Sequence, residues 1–153
     1  MSTYLTIKGN LINALNDGEI QVAAHCCNCF HTMGCGIAAK FVEAFPEVLQ
    51  ADKETPIGDS RKLGTFSKVK IGNKYIFNLY GQFKYGRTKR HLSYDALNEA
   101  LVGLKMFMQT FKLKTLGLPA RIGCNNAGGS VNIVTAIIKD VFDDSDIEIR
   151  LYE

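Results

Sequence analysis

Two segments of this chain follow one pattern: an apolar run, a stretch punctuated by glycine, then residues at helical spacing. The first passes through Asn28-Cys29-Phe30-His31-Thr32-Met33-Gly34-Cys35-Gly36-Ile37-Ala38, the second through Arg121-Ile122-Gly123-Cys124-Asn125-Asn126-Ala127-Gly128-Gly129-Ser130. A strand that turns through glycines into a helix is the joint of a βα unit, since parallel strands need a long crossover between them. Glycine supplies the positive φ and close backbone approach that such a joint asks for. Two joints of this kind imply a mostly parallel sheet with helices on both faces. Ligands of such sheets lie beyond the carboxyl ends of the strands, and both loops are placed there.

The rest of the chain fits that frame. Strands are predicted over Tyr4–Lys8, Glu19–Ala24, Thr65–Ile71, Lys74–Leu79, Thr115–Leu118 and Ile147–Tyr152. Gly72-Asn73 has the length of a tight hairpin turn between the third and fourth. Ile37, Ala38, Phe41 and Ala44 recur on one side of a helix that stops before Pro46, and a short helix follows over Glu47–Lys53. Ser93 is a good N-cap for a long helix whose apolar residues are Tyr94, Leu97, Leu101, Leu104, Phe107, Met108 and Phe111. Val131–Phe142 makes the last helix.

Composition narrows the class. The 153 residues suit one domain over 1–153, and 46% apolar with 22% charged residues excludes a disordered chain. No apolar run approaches the roughly 20 residues of a membrane span, and the N-terminal segment lacks the basic and apolar regions of a secretory signal. A cytoplasmic monomer without a membrane partner is expected. Five cysteines, four of them within ten residues, make a poor disulfide framework, so free thiols are expected. A net charge of +3 demands no nucleic acid and suits a small anionic ligand. Lys84, Arg87, Lys89, Arg90 and His91 fall within eight positions. They read either as a solvated loop or as a local attraction for phosphate.

The two loops carry the chemistry. Successive free N–H groups form an anion-binding concavity, and a helix N-terminus adds partial positive charge. Two such cradles at one sheet end suit a diphosphate. Neither loop has the Gly-Lys-Ser/Thr of a P-loop or the spacing of a dinucleotide fingerprint.

Residues 24–29, Ala24-His25-Cys26-Cys27-Asn28-Cys29, followed by Met33-Gly34-Cys35-Gly36-Ile37-Ala38, resemble the first ligand loop of macro domains. Asn78-Leu79-Tyr80-Gly81-Gln82 with Tyr85-Gly86-Arg87, and Pro119-Ala120-Arg121-Ile122-Gly123-Cys124, are similar to the subgroup related to ADP-ribose-1″-phosphate phosphatases. The resemblance runs essentially end to end. It implies a three-layer α/β/α macro domain with a mixed, mostly parallel sheet of about six strands. It also implies a metal-independent phosphatase without a cofactor, acting on a small ADP-ribose derivative, with an ADP-ribosyl hydrolase that removes ADP-ribose from modified macromolecules or a non-catalytic ADP-ribose-binding module as alternatives. By the same resemblance Asn10 and Leu11 would face adenine, with Tyr152 in the same pocket. Gly123, Cys124, Asn125, Asn126, Ala127, Gly128 and Gly129 would wrap the diphosphate. Asn28 with Gly34, Cys35, Gly36, Ile37 and Ala38 would hold the distal ribose or its phosphate, and Gly9, Cys27, Met33, Arg121 and Ile122 complete the expected contacts. Three positions depart from the family pattern. Asn10 replaces an aspartate, Ala127 stands where some hydrolases carry a catalytic aspartate, and Val131 replaces an aromatic residue. Gln82 aligns near the lysine of lysine-dependent ADP-ribosyl hydrolases, with Lys84 two residues on.

Asn28 and His25 are the expected catalytic residues. Asn28 would orient water or ribose hydroxyls, and His25 or His31 would exchange a proton near neutral pH. The cluster His25, Cys26, Cys27, Cys29 and His31 also admits a zinc reading, but a strand throws Cys26 and Cys27 to opposite faces. No metal is therefore expected, and the thiols read as small buried hydrophobes.

Overall fold

Val22–Cys27 forms the strand on which the molecule is organised (β2), and five of its six residues are buried. A strand covered on both faces reads as continuous apolar sequence, and Val22, Ala23 and Ala24 supply it. The computed structural model describes residues 2–153. In chain order it runs β1 (Thr3–Ile7), α1 (Leu11–Asn16), β2, α2 (Gly36–Ala44), α3 (Glu47–Lys53), a 3₁₀ turn (Ser60–Lys62) and β3 (Phe66–Ile71). There follow β4 (Lys74–Tyr80), α4 (Tyr94–Thr110), β5 (Thr115–Pro119), α5 (Val131–Phe142) and β6 (Glu148–Tyr152).

The six strands form one sheet in the order β1-β6-β5-β2-β4-β3. Every pairing is parallel except the β3–β4 hairpin, whose two-residue turn joins Ile71 to Lys74. On one face α1, α2 and α3 pack Leu11, Leu15, Phe41 and Val48 against Ala23, Ile76 and Tyr80. On the other, α4 and α5 pack Leu97, Leu101, Leu104, Val134 and Ile138 against Val22, Phe77 and Leu116. Each enclosed leucine or isoleucine contributes about 1.5–3 kcal/mol. The result is the three-layer α/β/α arrangement with a mixed, mostly parallel sheet of six strands.

Four local details differ from the sequence reading. The six-residue helix α1 was not expected; the Asn10 side chain caps it, accepting from the Asn13 N–H at 3.0 Å. β2 begins at Val22 instead of Glu19, because Gly18 turns at φ 79° and the Gln21 N–H donates to the Thr115 hydroxyl at 2.8 Å. Sheet pairing with Tyr75 and Leu116 starts only at Val22. Ala44 and Phe111 are exposed, since each lies where its helix ends and has left the packed face.

The parallel register brings the carboxyl ends of β2, β4 and β5 side by side, with Cys27 opposite Tyr80. Three connections leave that edge together: residues 28–35, 81–93 and 120–130.

Candidate functional site

These connections enclose a cavity of about 380 Å³. Its first wall is Cys26, Cys27, Asn28 and Thr32 through Ala38, its second Pro119, Arg121, Ile122, Gly123, Asn125, Asn126 and Ala127. A third comes from the β4–α4 connection: Gln82, Tyr85, Gly86 and Arg87.

Asn28 shapes the first wall. Its Oδ1 accepts from the Phe30 N–H at 2.8 Å, and its Nδ2 donates to the Thr32 carbonyl at 2.9 Å. The amide therefore ties its own loop into a tight turn and keeps one N–H and one lone pair unused. His31 takes positive φ, 58°, and its Nε2 donates to the Thr55 carbonyl at 2.8 Å. The Gly58 N–H donates to the Cys29 carbonyl, and the Cys29 N–H to the Phe83 carbonyl. Anchored on both sides, the chain passes Gly34 and Cys35 and enters α2 at Gly36, φ 59°. Ala39 is the first residue of the helix whose N–H reaches a carbonyl of the turn before it, that of Cys35. Among the described residues nothing accepts from the N–H groups of Gly34, Cys35, Gly36, Ile37 or Ala38. They are the free donors of a helix start.

The second wall is closed differently. The Gly129 N–H donates to the Gly123 carbonyl at 2.9 Å, drawing residues 123–129 into a ring. Gly123 and Gly128 take positive φ, 71° and 76°. An added Cβ at Gly129 would lie 2.7 Å from the Gly123 oxygen, so the ring admits only glycine there. The Ala127 carbonyl accepts from the N–H groups of His91 and Leu92, which fastens the β4–α4 connection to this loop. Within the ring, the N–H groups of Gly123, Asn125, Asn126 and Ala127 have no acceptor among the described residues. All four residues line the cavity. Ser130 caps α5 by accepting from Ile133, and Arg121 Nε donates to Asn125 Oδ1 at 2.9 Å.

Most of the expected contact residues thus meet at one place: Cys27, Asn28, Met33 to Ala38, Arg121 to Gly123, and Asn125 to Ala127. Others do not. His25 is fully enclosed mid-strand, its ring against Phe41, and lies outside the cavity wall. The shift of β2 by three residues moves it from the strand end into the core. Cys124 turns inward, its thiol donating to the Ile122 carbonyl at 3.3 Å. Gly128 rests on the Arg90 backbone, and Gly129 on the Leu92 side chain. Gly9, Asn10, Leu11 and Tyr152 stand apart from the cavity, and Tyr152 is buried beside Gly117. Asn10 borders a separate open hollow of about 490 Å³ with Ile12, Asn13, Lys40, Glu43 and Ala44. Lys84 is exposed and absent from the wall.

The contact set drawn from the sequence lacked Cys26, Thr32, Gln82, Tyr85, Gly86, Arg87 and Pro119. The basic cluster around Arg87 and the family-like Gln82 and Tyr85-Gly86-Arg87 were the available signals for the third wall. Its side of the cavity follows only from β4 pairing with β2.

The electrostatics are one-sided. No Asp, Glu, His or Lys lines the cavity, whereas Arg87 and Arg121 do. Burial pushes the Cys26 thiol up to about 12, and the Cys27 thiol is likewise raised by burial, so both remain protonated at neutral pH. Neither has the electropositive, exposed setting of a reactive thiol. Among the described residues no group of three or more His, Cys, Asp or Glu is arranged to hold a metal ion. Rows of donor N–H groups with two guanidinium groups make a site for a neutral-to-anionic, phosphate-bearing ligand.

No protein-family model matches the chain. It is 36% identical over 137 residues to an uncharacterised 17.5 kDa protein from the tk-vs intergenic region of Enterobacteria phage T4, covering 86% of this chain and 85% of that one. It is 29% identical over 146 residues to the ADP-ribose glycohydrolase OARD1 of Homo sapiens, covering 95% and 88%. The fold matches the macrodomain of Thermus aquaticus DarG with a TM-score of 0.78 at 21% identity, over 100% of this chain and 99% of that one. The chain has the macro domain fold. Within this fold the amide-lined cavity sits where β2, β4 and β5 end, and its third wall carries the basic cluster.

Proposed function

We propose that this chain is a macro domain that binds an ADP-ribose derivative and hydrolyses ADP-ribose-1″-phosphate to ADP-ribose and phosphate. One observation carries the reading: two rows of backbone N–H groups without an acceptor among the described residues, those of Gly34–Ala38 and those of Gly123, Asn125, Asn126 and Ala127, line one cavity that holds two arginines and no carboxylate. The pyrophosphate lies on the second row and the distal ribose with its phosphate on the first, beside Asn28. The name of the human relative, an ADP-ribose glycohydrolase, supports ADP-ribose as the ligand.

The choice of reaction follows from what the wall lacks. Phosphoryl transfer relies on positioning and on stabilising charge spread over the phosphoryl oxygens. Donor amides and guanidinium groups supply both. Water attacks phosphorus, the bond from phosphorus to the C1″ oxygen breaks, and the water proton passes to the leaving oxygen. The dianionic ester itself can relay that proton, so no protein base is needed. Lysine-dependent removal of ADP-ribose needs an amine at the distal ribose, and Gln82 offers an amide there while Lys84 lies off the wall. Ala127 provides no acid. The same absence of a titrating group favours a second reading, an ADP-ribose reader without turnover.

Colorimetric phosphate release from ADP-ribose-1″-phosphate separates the two. Phosphate production that Asn28→Ala abolishes supports the enzyme. Intact ADP-ribose binding with no phosphate at micromolar protein, and no release of ADP-ribose from a modified substrate, leaves the reader.

A further inference from the structure

The third wall has a construction of its own. It leaves β4 at Gln82, whose carbonyl accepts from the Cys29 thiol, and the neighbouring Phe83 carbonyl accepts from the Cys29 N–H at 2.9 Å. It rejoins the fold at Leu92, which pairs antiparallel with Gln82, and its end is fixed by the two N–H donors to the Ala127 carbonyl. Residues 82–92 are therefore rooted in the first loop and tied down on the second. They form a strap across the cavity, and Tyr85, Gly86 and Arg87 are its underside. Inside the strap Gly86 takes φ 142°, with the His91 ring 2.9 Å from where its Cβ would stand, so the bend that presents Arg87 depends on glycine.

The strap's charge is unopposed. Between Asp59 and Asp95 the sequence holds nine lysines and arginines and no acidic residue. The ion pairs recorded among the described residues join Arg61 to Asp59, Lys105 to Asp144, Lys114 to Asp146 and Arg150 to Glu148, none of them on the strap. Arg90 is occupied on the Tyr94 ring, 4.5 Å from its centroid. Arg87 is the strap cation that faces the cavity. A planar guanidinium presented to a cavity is suited to bidentate recognition of a phosphate.

We propose that Arg87 is a specificity residue: it selects ligands bearing a terminal phosphomonoester on the distal sugar over the same ligand without it. The placement rests on the ADP-ribose reading above. The backbone N–H rows serve the pyrophosphate and ribose in both ligands, so only the extra phosphate calls on the strap.

The test is the ratio of affinities for ADP-ribose-1″-phosphate and ADP-ribose, by calorimetry on the full chain. Where the protein turns the ester over, kcat/KM for phosphate release and the inhibition constant of ADP-ribose take the place of the two affinities. A charge-assisted contact predicts that Arg87→Gln lowers the ratio about 10- to 100-fold while ADP-ribose itself changes by less than about twofold. Arg87→Lys recovers part of the ratio, and Lys89→Gln, on the same strap but off the wall, leaves it unchanged. Equal losses for both ligands in Arg87→Gln, or an equal fall of the ratio in Lys89→Gln, overturn the assignment. So does a short single-stranded oligonucleotide whose binding Arg87→Gln abolishes while the ratio stays put, which makes the strap a polyanion contact. No binding of ADP-ribose to the wild type removes the parent reading instead.

Discussion

His25 sets the acid limit of this fold. Its Nε2–H donates to Asn78 Oδ1 at 2.7 Å, and Asn78 Nδ2 is engaged with the Val48 carbonyl and the Ser67 hydroxyl. Asn78 can therefore only accept from the ring, which fixes the neutral tautomer with its proton on Nε2. A second proton, on Nδ1, would meet nothing better than the Cys27 sulphur at 3.7 Å. Burial accordingly pulls the imidazole down from 6.5 to about 4, against the smaller opposing effect of the Asn78 hydrogen bond. The folded protein holds His25 neutral, whereas the unfolded chain binds a proton once pH falls below 6.5. Stability is thus fully present above that value, declines between 6.5 and about 4, and levels off below. A difference of about 2.5 pH units at about 1.4 kcal/mol each amounts to about 3 kcal/mol. Urea unfolding near pH 7.5 and near pH 4 measures the loss in the wild type and in His25→Gln, whose side chain keeps a donor for Asn78 and cannot titrate. The wild type should lose about 3 kcal/mol more than the variant over that range. Equal losses in the two proteins refute the reasoning, and an acid limb of activity that vanishes in His25→Gln at constant stability would return His25 to the catalytic role.

Other consequences are narrower. Tyr80→Phe removes the hydroxyl that donates to the buried Asp52 carboxylate at 2.6 Å, and should lower the urea midpoint by the equivalent of about 1–3 kcal/mol. No change would mean that the Asp52 network is held from elsewhere. Lys84→Ala should leave ADP-ribose affinity within about twofold, because an exposed side chain off the wall has only a screened, long-range effect; a calorimetric loss larger than that contradicts the wall as described. Iodoacetamide followed by peptide mass mapping should modify Cys35 first, since it is exposed while Cys27, Cys29 and Cys124 are buried, and ADP-ribose should slow that reaction. Equal labelling of all five thiols in the native chain would contradict the packing.

The sequence conveyed the architecture better than the wall. α3 and α5 fall over the residues expected for them, Glu47–Lys53 and Val131–Phe142, and the Ser93 cap lies where it was expected. Those signals are local and survive packing. α1 went unread because six residues carry less than two turns of periodicity, and the Asn10 cap lacks the acidic residue three positions on that would announce it. β2 slipped because cysteines give little strand signal and its start is set by pairing with Tyr75 and Leu116, far away in the sequence. The slip carried His25 with it. Which glycine-loop residues face the cavity was equally non-local: Cys124 and Gly129 turn toward Leu92 and the core, while Asn125 and Asn126 turn outward. The strap was visible as a run of positive charge and as the family-like Tyr85-Gly86-Arg87, but nothing within 84–91 reports that Ala127 holds its far end.

The central claim is that free backbone amides at the start of α2 and in the 123–129 ring receive the phosphates of one ligand. Gly36 tests it most directly, because its φ of 59° costs an L-residue about 1 kcal/mol while open space surrounds its Cβ position. Gly36→Ala therefore measures strain alone, and Gly36→Glu adds a carboxylate beside the donor row. Titration calorimetry with ADP-ribose should give micromolar binding to the wild type, a modest weakening in Gly36→Ala, and no detectable heat with Gly36→Glu. Binding to Gly36→Glu as tight as to Gly36→Ala, or no heat with the wild type, would contradict it.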